Sequence, residues 1–153
     1  AVRLSRRAAI ALGSTALSPR PVLATEQELG DTMAVVAAAR QLDAALAQWD
    51  TEIALIQLGR QGALHTSANM LQEDALKRLG AGSAGASFTK HKNAMLTYLF
   101  LVTGATKYEG AAKAAAYAND AKKEALAARA ALDDVARSVG VELPTANGGD
   151  SAR

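Results

Sequence analysis

Two long segments of this chain carry apolar residues at alternating spacings of four and three, the pattern of one buried helix face. In the first segment these positions are Val35, Ala39, Leu42, Leu46, Trp49, Ile53 and Ile56. In the second they are Ala114, Ala118, Ala121, Ala125, Ala128, Leu132, Val135 and Val139. The charged residues of the first segment fall between its apolar positions and are expected to face solvent: Arg40, Asp43, Asp50 and Glu52. Since no strand-like alternation of useful length occurs, the pattern predicts an all-α fold.

Two shorter apolar stretches between these segments predict two further helices. After a break at Gly59–Gly62, a helix over about residues 64–79 carries apolar positions at Leu64, Ala68, Leu71, Ala75 and Leu79. The run of glycine, alanine and serine over residues 80–87 predicts a surface loop, because this composition buries little apolar surface. Ser87 is then the expected N-cap of a strongly apolar helix over about residues 88–103.

The last helix is expected from about Glu109 to Val139, with Gly140 ending it. Hydrophobic residues make up 50% of the chain but aromatic residues only 4%, so helices must approach closely rather than pack bulky side chains. The short connections favour antiparallel neighbours. The sequence therefore predicts an up-and-down, antiparallel four-helix bundle over residues 25–144, followed by a disordered tail over residues 145–153.

Residues 1–24 have the composition of a cleavable targeting segment. Arg6 and Arg7 stand immediately before an apolar stretch that is far shorter than the roughly 20 residues of a membrane span. The segment ends in Val22-Leu23-Ala24, which suits a signal peptidase and predicts cleavage after Ala24. The paired arginines favour a twin-arginine signal, for export into a thylakoid lumen or a bacterial periplasm. An ordinary basic signal and a first helix of the domain are the alternatives.

Charge and cysteine content exclude several classes of function. The formal net charge is +2, but from Thr25 onward 13 basic and 15 acidic residues leave a net charge of −2. A nucleic-acid-binding domain is usually strongly basic, so nucleic acid is not an expected partner. The chain has no cysteine, which excludes disulfides, cysteine-ligated metals and thiol catalysis.

Candidate chemistry is limited to the two histidines, His65 and His91, each followed by a methionine at helical distance, Met70 and Met95. Such pairs can ligate haem or copper. Met95 lies in an apolar run, however, and His91 stands between two lysines, which is typical of an exposed helix start. The sequence contains no phosphate-binding loop, nucleophile elbow or calcium loop. It therefore predicts no enzyme, no catalytic residue, no metal site and no cofactor.

Basic clusters are the remaining candidates for a functional surface, because exposed cations orient a protein on an acidic partner and speed its association. An ordinary solvated helix face is the alternative explanation of any single cluster. The predicted partner-docking residues are Lys77, Arg78, Lys90, His91, Lys92, Lys122 and Lys123.

The twin-arginine-type leader and the cysteine-free, alanine- and lysine-rich bundle together resemble the PsbQ family of extrinsic photosystem II proteins. The most similar stretch has Tyr98, Leu99 and Tyr108 before the alanine-rich segment Ala114–Ala118, with Leu132 near the helix end. The resemblance implies a non-catalytic subunit in the thylakoid lumen of a chloroplast that binds the lumenal face of photosystem II. Its implied partners are membrane-embedded photosystem subunits and other extrinsic proteins, and it would help to retain calcium and chloride for photosynthesis. The proline-rich N-terminal arm of plant members does not occur here.

Two other functions stay open on the sequence alone. One is an exported bacterial helical bundle that binds a metal, haem or small ligand. The other is an assembly factor of another membrane complex. In every case the expected association with the membrane is peripheral and made through protein, without a transmembrane span.

Overall fold

The computed structural model describes residues 25–64 and 70–145, which contain helices and no β-strand. The helices are α1 (Glu26–Ala47), α2 (Trp49–Gln57), α3 (Glu73–Arg78), α4 (Gly82–Tyr108) and α5 (Ala111–Val139). They pack around a shared apolar core, which confirms the predicted all-α class. The predicted targeting segment with Arg6, Arg7 and Ala24 lies outside the described residues, as does the predicted tail beyond residue 145.

The first long segment begins at a capping box. Thr25 Oγ1 accepts a hydrogen bond from the Glu28 backbone N–H at 3.2 Å, and the Glu28 carboxylate accepts one from the Thr25 N–H at 3.0 Å. This reciprocal pair satisfies donors that the first turn of a helix leaves free. The helix is interrupted at Gln48, between α1 and α2, but the predicted apolar seam continues across this interruption. All its members are buried except Leu46, which is partly buried.

Glu52 is the exception to the predicted pattern of this segment. Its spacing predicts a position on the solvent face, yet Glu52 is only 7% exposed. Its carboxylate accepts a hydrogen bond from the Leu64 backbone N–H at 3.1 Å, which offsets part of the cost of burying a charge. The prediction was wrong because a contact made twelve residues further along the chain determines the environment of Glu52.

The predicted second helix is only partly present among the described residues. Within the described part of residues 64–79, only the six residues of α3 form an α-helix. Leu71 lies just before it with a left-handed φ of 28°. The apolar positions Leu64, Leu71 and Ala75 are nevertheless buried. The spacing thus predicted burial correctly and backbone conformation wrongly. Two backbone carbonyls of this stretch accept hydrogen bonds from a lysine of α4 instead of from the backbone N–H groups of a continuing helix.

The glycine-rich run over residues 80–87 is not a surface loop. α4 begins at Gly82, so both the predicted loop and the predicted N-cap at Ser87 are wrong. Gly85 is buried, and a Cβ added there would lie 3.0 Å from the Ala81 Cβ and 3.3 Å from the Leu76 Cβ. The small residues therefore permit close packing of α4 against α3, which composition alone does not distinguish from flexibility.

α4 and α5 make the most extensive contact between helices. The Tyr98 and Tyr117 ring centroids lie 6.5 Å apart, and His91 contacts Glu124, so α4 and α5 run in opposite directions. On the α5 side, the buried face is built mainly from small side chains. The buried residues of α5 are Ala114, Ala118, Ala121, Ala125, Ala128, Ala131, Leu132, Val135 and Ala136.

The ends of this hairpin are set by glycines. Gly110 connects α4 to α5 with a φ of 99°, and Gly140 ends α5 in a left-handed conformation with a φ of 73°. The last helix was predicted to within two residues at its start and correctly at its end. The third helix is longer at both ends than predicted.

Candidate functional site

One of the seven predicted docking residues, Lys92, does not lie on the surface. It is 5% exposed and occupies the buried face of α4, one turn after Phe88. Its ammonium donates to the backbone carbonyls of Met70 at 3.0 Å and Leu71 at 3.4 Å. The expectation of an exposed helix start here is wrong, because α4 begins at Gly82 and Lys92 lies well inside the helix.

The Lys92 ammonium is hydrogen-bonded to neutral carbonyls and forms no ion pair within the described residues. Burial lowers the pKa of Lys92, because the charged form loses its hydration, and the charge of Glu73 acts in the opposite direction. The ammonium also lies 6.0 Å from the centroid of the Phe88 ring. Lys92 therefore fixes the chain between α2 and α3 to the core and is not available to a partner.

Two other polar side chains hold this chain segment, residues 58–72, which we call the α2–α3 connection. Glu52 of α2 accepts from the Leu64 N–H, as described above, and Gln41 of α1 donates through Nε2 to the Ala63 carbonyl at 2.6 Å. Gly62 lies against the Glu52 carboxylate, and a Cβ at this position would collide with Glu52 Oε2. Side chains from three helices thus hold the described parts of one irregular segment.

Lys77, Arg78 and His91 contact acidic side chains of their own chain. The pairs are Lys77 with Glu73 at 3.0 Å, Arg78 with Asp31 at 2.8 Å and His91 with Glu124 at 2.6 Å. Arg78 donates two hydrogen bonds to Asp31, which lowers the pKa of the Asp31 carboxyl and raises that of the guanidinium. Arg78 thereby ties α3 to α1, and His91 ties α4 to α5.

Lys90, Lys122 and Lys123 are exposed. Lys123 contacts Asp120 at 3.1 Å, whereas Lys90 and Lys122 form no ion pair within residues 25–64 and 70–145. Lys122 lies beside the break between α1 and α2. Lys90 lies at a different cavity, where it shares the lining with Lys77. The structure thus brings Lys77 and Lys90 together and places Lys122 elsewhere.

That shared cavity is a groove of about 590 Å³ between α3 and the first half of α4, which we call the α3–α4 groove. One wall is formed by Glu73, Leu76, Lys77 and Gly80, and the other by Ala86, Thr89, Lys90 and Asn93. Both sets have the spacing i, i+3, i+4, i+7, which is one face of a helix. Gly82 and Gly85 complete the lining where the two walls meet.

The described members of the two histidine and methionine pairs lie in different environments. Met95 is fully buried, as predicted, while His91 is partly buried and contacts Glu124. Met70 is buried, and His65 lies outside the described residues. In residues 25–64 and 70–145, no three histidine or acidic residues converge to hold a metal ion.

Four polar side chains in buried or partly buried positions were not predicted from the sequence: Gln41, Glu52, Thr89 and Lys92. One signal could have identified Lys92. It lies four residues after Phe88 and three before Met95, so it occupies the apolar seam of α4. Only when this spacing is ignored does the sequence predict an exposed cluster at Lys90-His91-Lys92.

No protein-family model, curated protein or solved structure matches this chain. Over the described ranges, none of the helices is both long and apolar enough to cross a membrane.

Proposed function

We propose that this chain is a non-catalytic extrinsic subunit that docks on the lumenal face of a photosystem, specifically photosystem II, and stabilises its oxygen-evolving side. The observation that carries the proposal is the exposed pair Lys122 and Lys123 on α5, a helix whose opposite face is fully engaged in the core. Such cations on a rigid helix are suited to acidic loops of a partner. The twin-arginine-type leader and the family resemblance supply the proposed location, the thylakoid lumen.

As part of this proposal, the domain is an antiparallel, up-and-down four-helix bundle in which α1 and α2 together form the first element. The second element is the α2–α3 connection with α3, the third is α4 and the fourth is α5. The pairs Asp31–Arg78, His91–Glu124 and Asp43–Arg129 support this order. Spin labels at the exposed positions Leu29 and Ser138 should then be close together, whereas labels at Leu29 and Ala112 should be separated by about a helix length. The reverse order of distances would contradict the arrangement.

Docking would combine charge with apolar contact. Phe100 and Tyr108 of α4 are 78% and 86% exposed, so most of each ring is open to contact with a partner. Protein interfaces are enriched in aromatic side chains surrounded by a polar rim. In the proposed complex the lysines orient the bundle and the aromatic side chains bury area against the partner, so that solvent is excluded from the oxygen-evolving side.

The test is rebinding of the purified chain to photosystem II membranes from which concentrated salt has removed the extrinsic subunits. Salt screens exposed charges over a few ångströms at about 1 M, so the chain should bind at low salt and be released by the same wash. Oxygen evolution at limiting calcium and chloride should rise when the chain binds. Replacement of Lys122 and Lys123 by glutamine should weaken binding by about tenfold, since exposed pairs contribute up to about 1 kcal/mol each.

The matched control is replacement of Arg40 of α1 and Arg60 of the α2–α3 connection, two exposed basic residues that do not belong to α5, by glutamine. Equal loss of binding in both double variants would mean that only net charge matters and would contradict docking through α5. Failure to bind photosystem II membranes at any salt concentration, or recovery of the native protein free in a bacterial periplasm, would overturn the proposal.

A further inference from the structure

The α3–α4 groove has an unusual polar atom in its wall. α4 contains four threonines, and three of them donate their hydroxyl to the carbonyl four residues earlier. These are Thr97 to Asn93 at 3.0 Å, Thr103 to Leu99 at 3.5 Å and Thr106 to Val102 at 2.8 Å. Thr89 lines the groove, and its Oγ1 is buried without a hydrogen-bond partner among the described residues. A buried hydroxyl without a partner is costly, so this position has unused hydrogen-bonding capacity.

Charge in the groove is unbalanced towards the positive. Glu73 and Lys77 pair with each other across one turn of α3, so their charges largely cancel. Lys90 remains on the opposite wall without an ion pair in the described chain, next to Thr89 and one turn from Asn93. These three side chains offer an ammonium, a hydroxyl and an amide, all of which can donate hydrogen bonds to one acceptor group.

The rest of the groove is lined by apolar and small residues. Leu76 lies on the α3 side, and Ala86, Gly82 and Gly85 leave the α4 side without large side chains. A Cβ at position 85 would crowd the Cβ atoms of Ala81 and Leu76, so the groove lies beside the same close contact that joins the two helices. Its volume of about 590 Å³ falls within the range of about 300–1,000 Å³ typical of small-molecule sites.

We propose that the α3–α4 groove binds an amphipathic small molecule with an apolar body and one anionic head group. The head lies at Lys90, Asn93 and Thr89, and the body lies along Leu76 and Ala86. Threonine in a helix populates two χ1 rotamers, so rotation of Thr89 presents its hydroxyl to the head group. The inference is independent of docking to a photosystem, because it concerns a different surface and is measured on the isolated chain.

The probe is decanoate, titrated into the purified chain by calorimetry below its critical micelle concentration. Decanol and decyltrimethylammonium have the same apolar chain with a neutral and a cationic head. Decanoate should bind saturably at one site and at least about tenfold more tightly than either, because hydrogen bonds to a charged group are worth more than neutral ones. Equal affinity for all three, or no saturable binding of decanoate, would overturn the proposal.

Variants locate the site. Ala86→Leu should abolish binding by filling the groove, and Ala115→Leu, at an exposed position of α5, should not. Lys90→Met and Thr89→Val should each weaken decanoate binding by about tenfold while leaving decanol binding unchanged. Their controls are Lys107→Met and Thr97→Val on the same helix, which should bind decanoate like the original chain. If Ala86→Leu melts abnormally, the head-group variants alone decide, and binding unchanged in both would contradict the site.

Discussion

The α4–α5 hairpin and the α2–α3 connection are held to the core by different interactions. The hairpin is two long, regular helices joined by two residues, and its buried face is almost entirely apolar. The connection is irregular, and in its described parts it is fixed by the polar side chains of Gln41, Glu52 and Lys92. The hairpin is stabilised mainly by removing apolar surface from water, whereas the connection is held in addition by hydrogen bonds from buried and partly buried side chains to its backbone groups.

This difference has a consequence for how each region responds to change. Apolar packing is lost in proportion to the volume removed, so the hairpin should be sensitive to truncation. Buried hydrogen bonds are lost when a partner is displaced. The α2–α3 connection should therefore be sensitive to an added methyl group or to the loss of one hydrogen-bonding group. The following substitutions test this contrast, beginning with the largest effect.

Leu132→Ala should cost about 2–5 kcal/mol in the free energy of unfolding, because Leu132 of α5 is fully buried and its truncation leaves a cavity. The control is Leu126→Ala, the same change on the same helix at a position that is 53% exposed. That variant should stay within about 0.5 kcal/mol of the original. Urea melts of both variants provide the measurement, and similar losses in the two would contradict the assignment of the buried face.

Gly62→Ala should destabilise the protein by about 1–3 kcal/mol, since the added methyl group collides with the buried Glu52 carboxylate. Gly104→Ala is the matched control, because Gly104 lies inside α4 with no atom near the position of a Cβ. There alanine should stabilise the helix by about 0.5–1 kcal/mol. Opposite signs in denaturant melts are expected; a stabilising Gly62→Ala would show that Glu52 can leave its position without cost.

Lys92→Met should alter the pH dependence of stability. The effect should be smaller than those of the two preceding substitutions, because both the neutral amine and the charged ammonium of Lys92 can donate to the same backbone carbonyls. The pKa of Lys92 is lowered in the folded state, so between that value and the ordinary 10.5 the unfolded chain binds more protons. Stability contributed by Lys92 therefore rises with pH across this window and is flat below it. The original chain should gain stability relative to Lys92→Met between neutral pH and about pH 10, measured by urea melts. A difference that shrinks with rising pH would refute the assignment.

Much of the fold could be predicted from the sequence, and the errors are concentrated in one region. The seams from Val35 to Ile56 and from Ala114 to Val139 were found because helical spacing repeats over many residues. The predictions for residues 64–87 were wrong at both ends of this range. Apolar spacing suggested a helix where the backbone bonds to Lys92, and glycine content suggested a loop where α4 begins.

The candidate sites were predicted less well than the fold. Lys77, Lys90, Lys122 and Lys123 are exposed as a docking residue must be, but Lys92 is in the core. The α3–α4 groove has no signature in the sequence, because its two walls come from helices whose angle is set at Gly80 and Gly82. The hydroxyl of Thr89 could be recognised as exceptional only once the bonds of the other threonines of α4 were known.

The sequence by itself determined the helical class, the two long seams and the stop at Gly140, because these depend on residues within a few turns of each other. Only the tertiary structure decided the environments of Glu52 and Lys92, since their partners lie 12 to 22 residues away. It also decided that Gly85 serves close packing rather than flexibility. Local periodicity fixes which face of a helix is apolar, whereas a buried polar group is acceptable only where a distant backbone group arrives to bond it.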